Sequence, residues 1–453
     1  MFNEAAVAMR RRNETARHDA VRRGTIMNTS VGGKGNGLAF AYVTSLFFAW
    51  GFVTSLIDPL IAAVRRVFDL SLAEAMLTAS AWFIAYGLAS LPAAWLLSKL
   101  GYSRAIIAAL GTMVLGCLLV PVATIVDVYP LVLLSLFIIA SGVTLLQVAA
   151  NPLSASLGAP KTAHLRLTFS QAFNSLGATL GPVIGSTILL TGGVFAADAV
   201  VTASTRGESL RSIDFAFLAV GAFFALVAIF IWTARKRIDA AVESKQSTGV
   251  VSPFTAFKSR WAVFGAVAIF FYVGAEVTIG TLLIPFLHSA EGLGLAEHEA
   301  GHMVGWYYWG AAMVGRFVGS ALLTRVRAGV LLSICTIVAA SLAVVVTQTE
   351  GATAAYAALG IGFFNSIMFP TIFSLTLERS SASPSATSGL LVFGIIGGAI
   401  LPPIAGFIAD KAGAVSPAFF VPVVGYLVLV AFALACARTR ALNADAPGTA
   451  AGH

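Results

Sequence analysis

Residues 129–157 read YPLVLLSLFIIASGVTLLQVAANPLSASL, an apolar run without a single charged side chain. A helix rises about 1.5 Å per residue, so a run of this length more than crosses a hydrocarbon core of about 30 Å. Inside it stand two amides, Gln147 and Asn151, followed by Pro152. A membrane helix that carries polar side chains in its second half is the reading from which the rest follows.

Outward from that stretch the same pattern recurs. Apolar runs bounded by charges or by Gly and Pro predict spans near 38–64, 72–97, 105–125, 129–157, 167–191 and 213–234. Six more follow near 261–287, 302–323, 328–348, 353–377, 387–409 and 417–437. The fold class expected is an all-α membrane protein of twelve transmembrane helices. Across all 453 residues 58% are apolar and only 11% charged, against about 25% charged in soluble chains. That composition excludes a soluble enzyme, a disordered chain and a nucleic-acid binder, despite the net charge of +8. Cys117, Cys335 and Cys436 all lie in apolar runs with no ligand spacing, so no disulfide framework or cysteine metal site is implied.

The basic residues set the orientation. With both termini cytoplasmic, 22 of the 28 Lys and Arg fall on the cytoplasmic side and five on the other, while Arg316 lies within a span. That is the positive-inside asymmetry of an integral plasma membrane protein, the bacterial inner membrane in a bacterium. Residues 1–37 have no apolar core, so they are expected to form a disordered cytoplasmic tail that touches anionic lipid, not a signal peptide; translation starting at Met27 is the alternative. A charged stretch at 235–260 separates two bundles, 38–234 and 261–437, and 438–453 forms a second tail. Echoes offset by roughly 220 residues support duplication: Asn151-Pro152 with Phe369-Pro370, and Gly181 to Gly185 with Leu401 to Gly406. Two parallel six-helix halves with substrate near the midplane is the major facilitator architecture. Gly177, Gly181 and Gly185 give the fifth span a face on which a neighbour can pack closely.

Polar residues inside spans are the candidates for function. Asp58, Glu276 and Arg316 are the three charges well inside, and each costs about 2.5–3.5 kcal/mol at the centre of a lone helix. Asp58, just before Pro59, is a candidate to bind and release the coupling ion. Glu276 reads as a coupling group, a substrate acceptor or the partner of Arg316, and Arg316 itself as a structural ion-pair residue. Gln147 and Asn151 share one helical face, and Gln171 and Asn174 share another; Asn365 adds a fifth amide. Amides donate and accept together, which suits a neutral polyhydroxylated substrate. Trp50 and Trp309, within aromatic clusters at 47–50 and 306–309, are candidates to stack on the apolar face of a sugar ring. His298-Glu299-Ala300-Gly301-His302 matches the pattern of zinc proteases, but no Asp-Gly pair offers a third ligand, and the segment reads as solvated loop.

At these residues the chain resembles the fucose–proton symporter family of the major facilitator superfamily, above all its glucose/galactose transporter branch. The resemblance extends from about residue 40 to 437. It rests on Phe47-Phe48-Ala49-Trp50-Gly51-Phe52 with Asp58 downstream, on Gln147 to Pro152, on Gln171 to Gly177 and on Tyr272 to Val277. It continues in Gly310 to Gly319, Phe363 to Pro370 and Gly397 to Pro403. It implies uptake of a neutral monosaccharide with a cation, H⁺ or in some relatives Na⁺, by alternating access. Asp58 aligns with the family's coupling or substrate-binding aspartate. Gln147 stands where the fucose transporters carry a glutamate linked to proton coupling, a departure typical of the glucose/galactose branch. Ile57 replaces an asparagine common before the aspartate, and the superfamily's basic loop is degraded around Ser98, Lys99, Gly101 and Arg104.

The expectation is therefore a monomeric sugar carrier, with no enzyme activity, no bound cofactor and no metal, that co-transports H⁺ or Na⁺. Alternatives are a deoxy or amino sugar as substrate, a sugar sensor without flux, and the zinc protease.

Overall fold

The computed structural model describes residues 37–55, 72–189, 203–242 and 251–439, and among these there is helix and turn but no strand. The first six helices are α1 (Gly37–Thr54), α2 (Leu72–Leu100), α3 (Tyr102–Val126), α4 (Tyr129–Ser156), α5 (Ala163–Leu189) and α6 (Ala203–Val242). After a 3₁₀ turn at Pro253–Lys258 come α7 (Arg260–His288), the composite α8 (Glu297–Met303, Val304–Trp309 and Gly310–Leu322) and α9 (Ala328–Gln348). The last three are α10 (Gly351–Asn365 and Met368–Arg379), α11 (Pro384–Phe393, Gly394–Ile396 and Gly397–Ala412) and α12 (Phe420–Arg438). Among the described residues, ten of these are long and apolar enough to cross a membrane.

Local chemistry sets the boundaries. Pro130 and Pro384 open α4 and α11 at positions where a missing amide hydrogen is harmless. Ser259 and Ser383 cap α7 and α11 by accepting from Ala262 N and Ala386 N. Gly101 alone joins α2 to α3 with φ of 78°, a conformation that a side chain would oppose.

Three helices depart from the expected spans. α6 runs well beyond 213–234 at both ends; it is bonded to α3 inside that span, where Thr124 donates to Asp214 at 2.7 Å, and past it, where Ser103 donates to Asp239 at 2.8 Å. α8 starts earlier than 302 and contains a π turn, closed by Gly310 N donating to Gly305 O. The turn points Tyr308 into the core and leaves Trp306, Tyr307 and Trp309 outside. α10 is broken between Asn365 and Met368. Pro370 explains the break, since it has no amide hydrogen for the carbonyl four residues back and its ring crowds that carbonyl.

Packing follows from small residues on facing sides. α3 packs on α4 and α6, and α2 on α4; in the other group α9 packs on α12 and α10, and α7 on α11, α12 and α10. α2 meets α11, and α5 meets α8 and α10, so these pairs join the two groups. Gly177 and Gly181 of α5 lie against the main chain of α1 at Phe48 and Phe52, with no room for a side chain. The surroundings of Gly185 lie outside the described residues.

The bundle is closed at the end that carries the α4–α5, α8–α9 and α10–α11 connections. His164 Nε2 of α5 meets Glu378 Oε1 of α10 at 2.8 Å, and His164 Nδ1 lies 2.6 Å from Ser374 Oγ. Ser388 of α11 donates to Val148 O of α4 at 2.7 Å. Arg166 fastens the start of α5 to Ser154 O and Ala159 O, and Arg379 fastens α10 to Cys436 O and Thr439 O.

Candidate functional site: polar clusters on facing helices

One cluster belongs to α2, α4 and α5. Gln147 donates from Nε2 to Tyr86 Oη at 2.8 Å, and Asn151 Oδ1 accepts from Gln171 Nε2 at 3.4 Å. All four side chains are buried. Asn151 is 0% exposed, and its Nδ2 has no hydrogen-bond partner. A buried donor left in that condition costs about 1–3 kcal/mol, so this atom is poised to gain from any acceptor that reaches it. Asn174, one turn along α5 from Gln171, faces elsewhere: its Nδ2 donates to Phe47 O of α1 at 3.1 Å. Trp50 of α1 is buried with its ring 4.3 Å from that of Phe47.

A second cluster is built by α7, α8, α10 and α12. Tyr272 Oη is 2.7 Å from Glu276 Oε1, one turn along α7, and 3.2 Å from Asn365 O. Asn365 donates from Nδ2 to Tyr308 Oη at 3.1 Å and accepts at Oδ1 from Tyr426 Oη at 2.7 Å. Its amide is thus occupied on both sides, and Asn365 is 1% exposed. Tyr308 Oη also lies 3.5 Å from Glu276 O. The Glu276 carboxylate is half-buried, with one oxygen held by Tyr272.

Arg316 connects the clusters. From α8 its Nε donates to Ser366 O at 3.1 Å and its guanidinium NH₂ group to Gln171 O at 3.2 Å, with a further hydrogen bond to Ser175 Oγ. Among the described residues the ion pairs are His164–Glu378, Arg379–Glu378 and Arg206–Asp127. Neither Arg316 nor Glu276 takes part in one, although Glu276 lies within electrostatic reach of Arg316. The guanidinium that the sequence suggested as an ion-pair partner is held by carbonyls and a hydroxyl.

Some expected residues stand apart. Asp58 and Ile57 lie outside the described residues. Trp309 is 46% exposed, and its ring faces Gly280 of α7. Of the protease-like motif, Glu299 accepts from Ala296 N at 3.3 Å and closes the start of α8. The described residues contain no group of three or more His, Cys, Asp or Glu placed to hold a metal. Sequence reasoning missed Tyr86, Tyr272, Tyr426 and Ser175 as members of these clusters. Tyr272 was within reach of it, since a tyrosine four residues before an intramembrane glutamate shares its helical face.

The family model described as "Major Facilitator Superfamily" matches residues 39–390. The chain belongs to the major facilitator superfamily. It is 42% identical over 401 residues to the glucose/galactose transporter of Brucella abortus, covering 88% of this chain and 94% of that one. It is 30% identical over 416 residues to the L-fucose-proton symporter of Escherichia coli, covering 87% and 92%. Among solved structures, FucP, a superfamily transporter in the outward conformation, superposes with a TM-score of 0.76 at 28% identity, over 89% of this chain and 100% of that one. The protein is an integral membrane protein whose relatives are transporters, not enzymes. The α2–α11 and α5–α8 contacts are then the seams between the superfamily's six-helix halves.

Proposed function

We propose that the protein imports a neutral monosaccharide of the glucose/galactose type together with a cation, H⁺, by alternating access. The observation that carries this reading is the orphaned Asn151 amide beside Gln171, whose carbonyl accepts from Arg316 of the other half. Buried amides with unmet capacity match hydroxyls that both donate and accept. The names of the 42% and 30% identical relatives support sugar as the substrate class and a proton as the ion.

In this reading Gln147, Asn151 and Gln171 hydrogen-bond the sugar from one half. Asn174 shapes the same wall through its tie to α1, and Asn365 contributes from the other half by holding the tyrosines around Glu276. Trp50 backs the wall, and Trp309 stands at its outer margin. Asp58 and Glu276 carry the coupling charge, while Arg316 holds the halves together across the seam. The two halves are 38–234 and 261–437, the chain works as a monomer in the lipid of the plasma membrane, and both termini are cytoplasmic.

Energetics permit such coupling. One charge moving down 100 mV releases about 2.3 kcal/mol, and at about 1.4 kcal/mol per tenfold this sustains roughly a 50-fold sugar gradient. The test is uptake of labelled sugar into proteoliposomes under an imposed pH gradient or an imposed Na⁺ gradient, with glucose, galactose, fucose and N-acetylglucosamine. Glucose and galactose uptake driven by the pH gradient is the expected result. Uptake that follows only Na⁺, or only a deoxy or amino sugar, would replace that part of the reading.

A further inference from the structure

The break in α10 leaves carbonyls that the helix itself does not satisfy. Asn365 closes the first segment, so its carbonyl belongs to a last turn that lacks intrahelical donors. That carbonyl lies 3.2 Å from Tyr272 Oη, and Glu276 Oε1 lies 2.7 Å from the same oxygen. A tyrosine hydroxyl has one hydrogen and so can donate to only one of these acceptors at a time. An ionised glutamate only accepts, and the shorter contact shows which acceptor it favours.

Protonation changes the count. A neutral Glu276 carries its own O–H, which donates to the Tyr272 oxygen, and the phenolic hydrogen then turns to Asn365 O. No bond of Tyr272 breaks; its O–H rotates about the C–O bond while the arriving proton resides on the glutamate. We propose that Tyr272 is a positioning residue through which the protonation state of Glu276 reaches the break in α10. In the loaded state α7 is tied to α10 at the break, and in the unloaded state that tie is given up to the carboxylate.

The groups that face Glu276 fit this role. Tyr308 and Arg316 approach from α8, and Tyr426 from α12. Asn365 of α10 binds both of those tyrosines, so the network that surrounds the glutamate is anchored on the residue at the break. From α11, Leu401 and Gly397 pack against Gly274 and bring no titratable group.

The inference rests on Glu276 being a coupling group, and the test separates the two ideas. Y272F and E276Q are assayed beside the wild type for sugar-driven proton uptake and for the pH dependence of sugar uptake. E276Q is expected to lose sugar-driven proton uptake. Y272F is expected to slow uptake several-fold and to bring the ratio of rates at about pH 6 and about pH 8 to about 1. Should Y272F fail to transport, sugar binding to the solubilised variant decides: affinity that no longer varies with pH supports the proposal, and wild-type pH dependence overturns it. If E276Q keeps proton uptake, the reading of Glu276 fails and the role of Tyr272 falls with it. If E276Q loses proton uptake while Y272F keeps the wild-type pH profile, the role of Tyr272 alone is overturned.

Discussion

Arg316 Nε donates to the carbonyl of Ser366, the carbonyl that Pro370 leaves without an amide partner. A proline four residues on cannot supply that hydrogen, so a side chain from α8 supplies it instead. The same guanidinium reaches Gln171 O and Ser175 of α5, so one residue fastens the break in α10 to the facing half. Arg316→Ala therefore orphans acceptors on two helices, with an expected loss of about 1–3 kcal/mol. Arg316→Lys is expected to recover little, because an ammonium is a point donor and not a fork. Thermal unfolding of the detergent-solubilised variants measures both.

Pro370→Ala returns an amide hydrogen to Ser366. The substitution removes a proline penalty of about 3 kcal/mol and lets α10 run straight. The account expects a higher melting temperature and sugar uptake slowed at least several-fold. Unchanged uptake in a stabilised variant would show the break to be passive.

The amide cluster makes a separate claim about affinity. Gln171→Ala takes a donor from Asn151 and a partner from the sugar, and Asn151→Ala removes the orphaned Nδ2. A hydrogen bond is worth about 1 kcal/mol net, so the KM for sugar is expected to rise about fivefold in each. Asn174→Ala, whose amide binds Phe47 O, is expected to cost more in stability than in KM. Initial rates over a range of sugar concentrations, beside melting curves, distinguish the two effects.

The spans were legible because lipid demands long uncharged runs, and α4 could be read almost to its last residue. Neighbours were less so. Helical spacing put Gln147 with Asn151 on one face, and Gln171 with Asn174 on another; in the structure Gln171 bonds Asn151, while Asn174 turns to α1. Spacing could not show that Gln147 reaches Tyr86 or that Asn174 reaches back to Phe47, since it reports a direction and not what stands there. Pro370 entered the reading as an echo of Pro152, yet α4 continues as helix around Pro152 while α10 breaks ahead of Pro370. Proline identity alone does not separate those outcomes, and neither does a waiting donor: Arg316 takes the carbonyl freed by Pro370, and Ser388 takes the one freed by Pro152. Tyr426 gave no signal at all, because a lone tyrosine in an apolar run looks like any other core aromatic.

The closed end supplies a prediction about conformation. His164 and Glu378 join α5 to α10 there, with part of each side chain open to solvent. Pairs of that kind contribute about 0–1 kcal/mol, so Glu378→Ala is expected to raise the population open at this end by up to about fivefold. Spin labels on α5 and α10 near that end report the change as a greater share of long distances. An unaltered distance distribution would mean that the His164–Ser374 and Ser388–Val148 contacts suffice.

The central claim is that sugar and a proton enter together. Its most direct test is to record the external pH of a lightly buffered suspension of proteoliposomes, free of Na⁺, when glucose is added. The account expects prompt alkalinisation outside that needs the protein, repeats with galactose and is lost in Asp58→Asn. Glucose entry with no pH change, or an undiminished signal in Asp58→Asn, would contradict it.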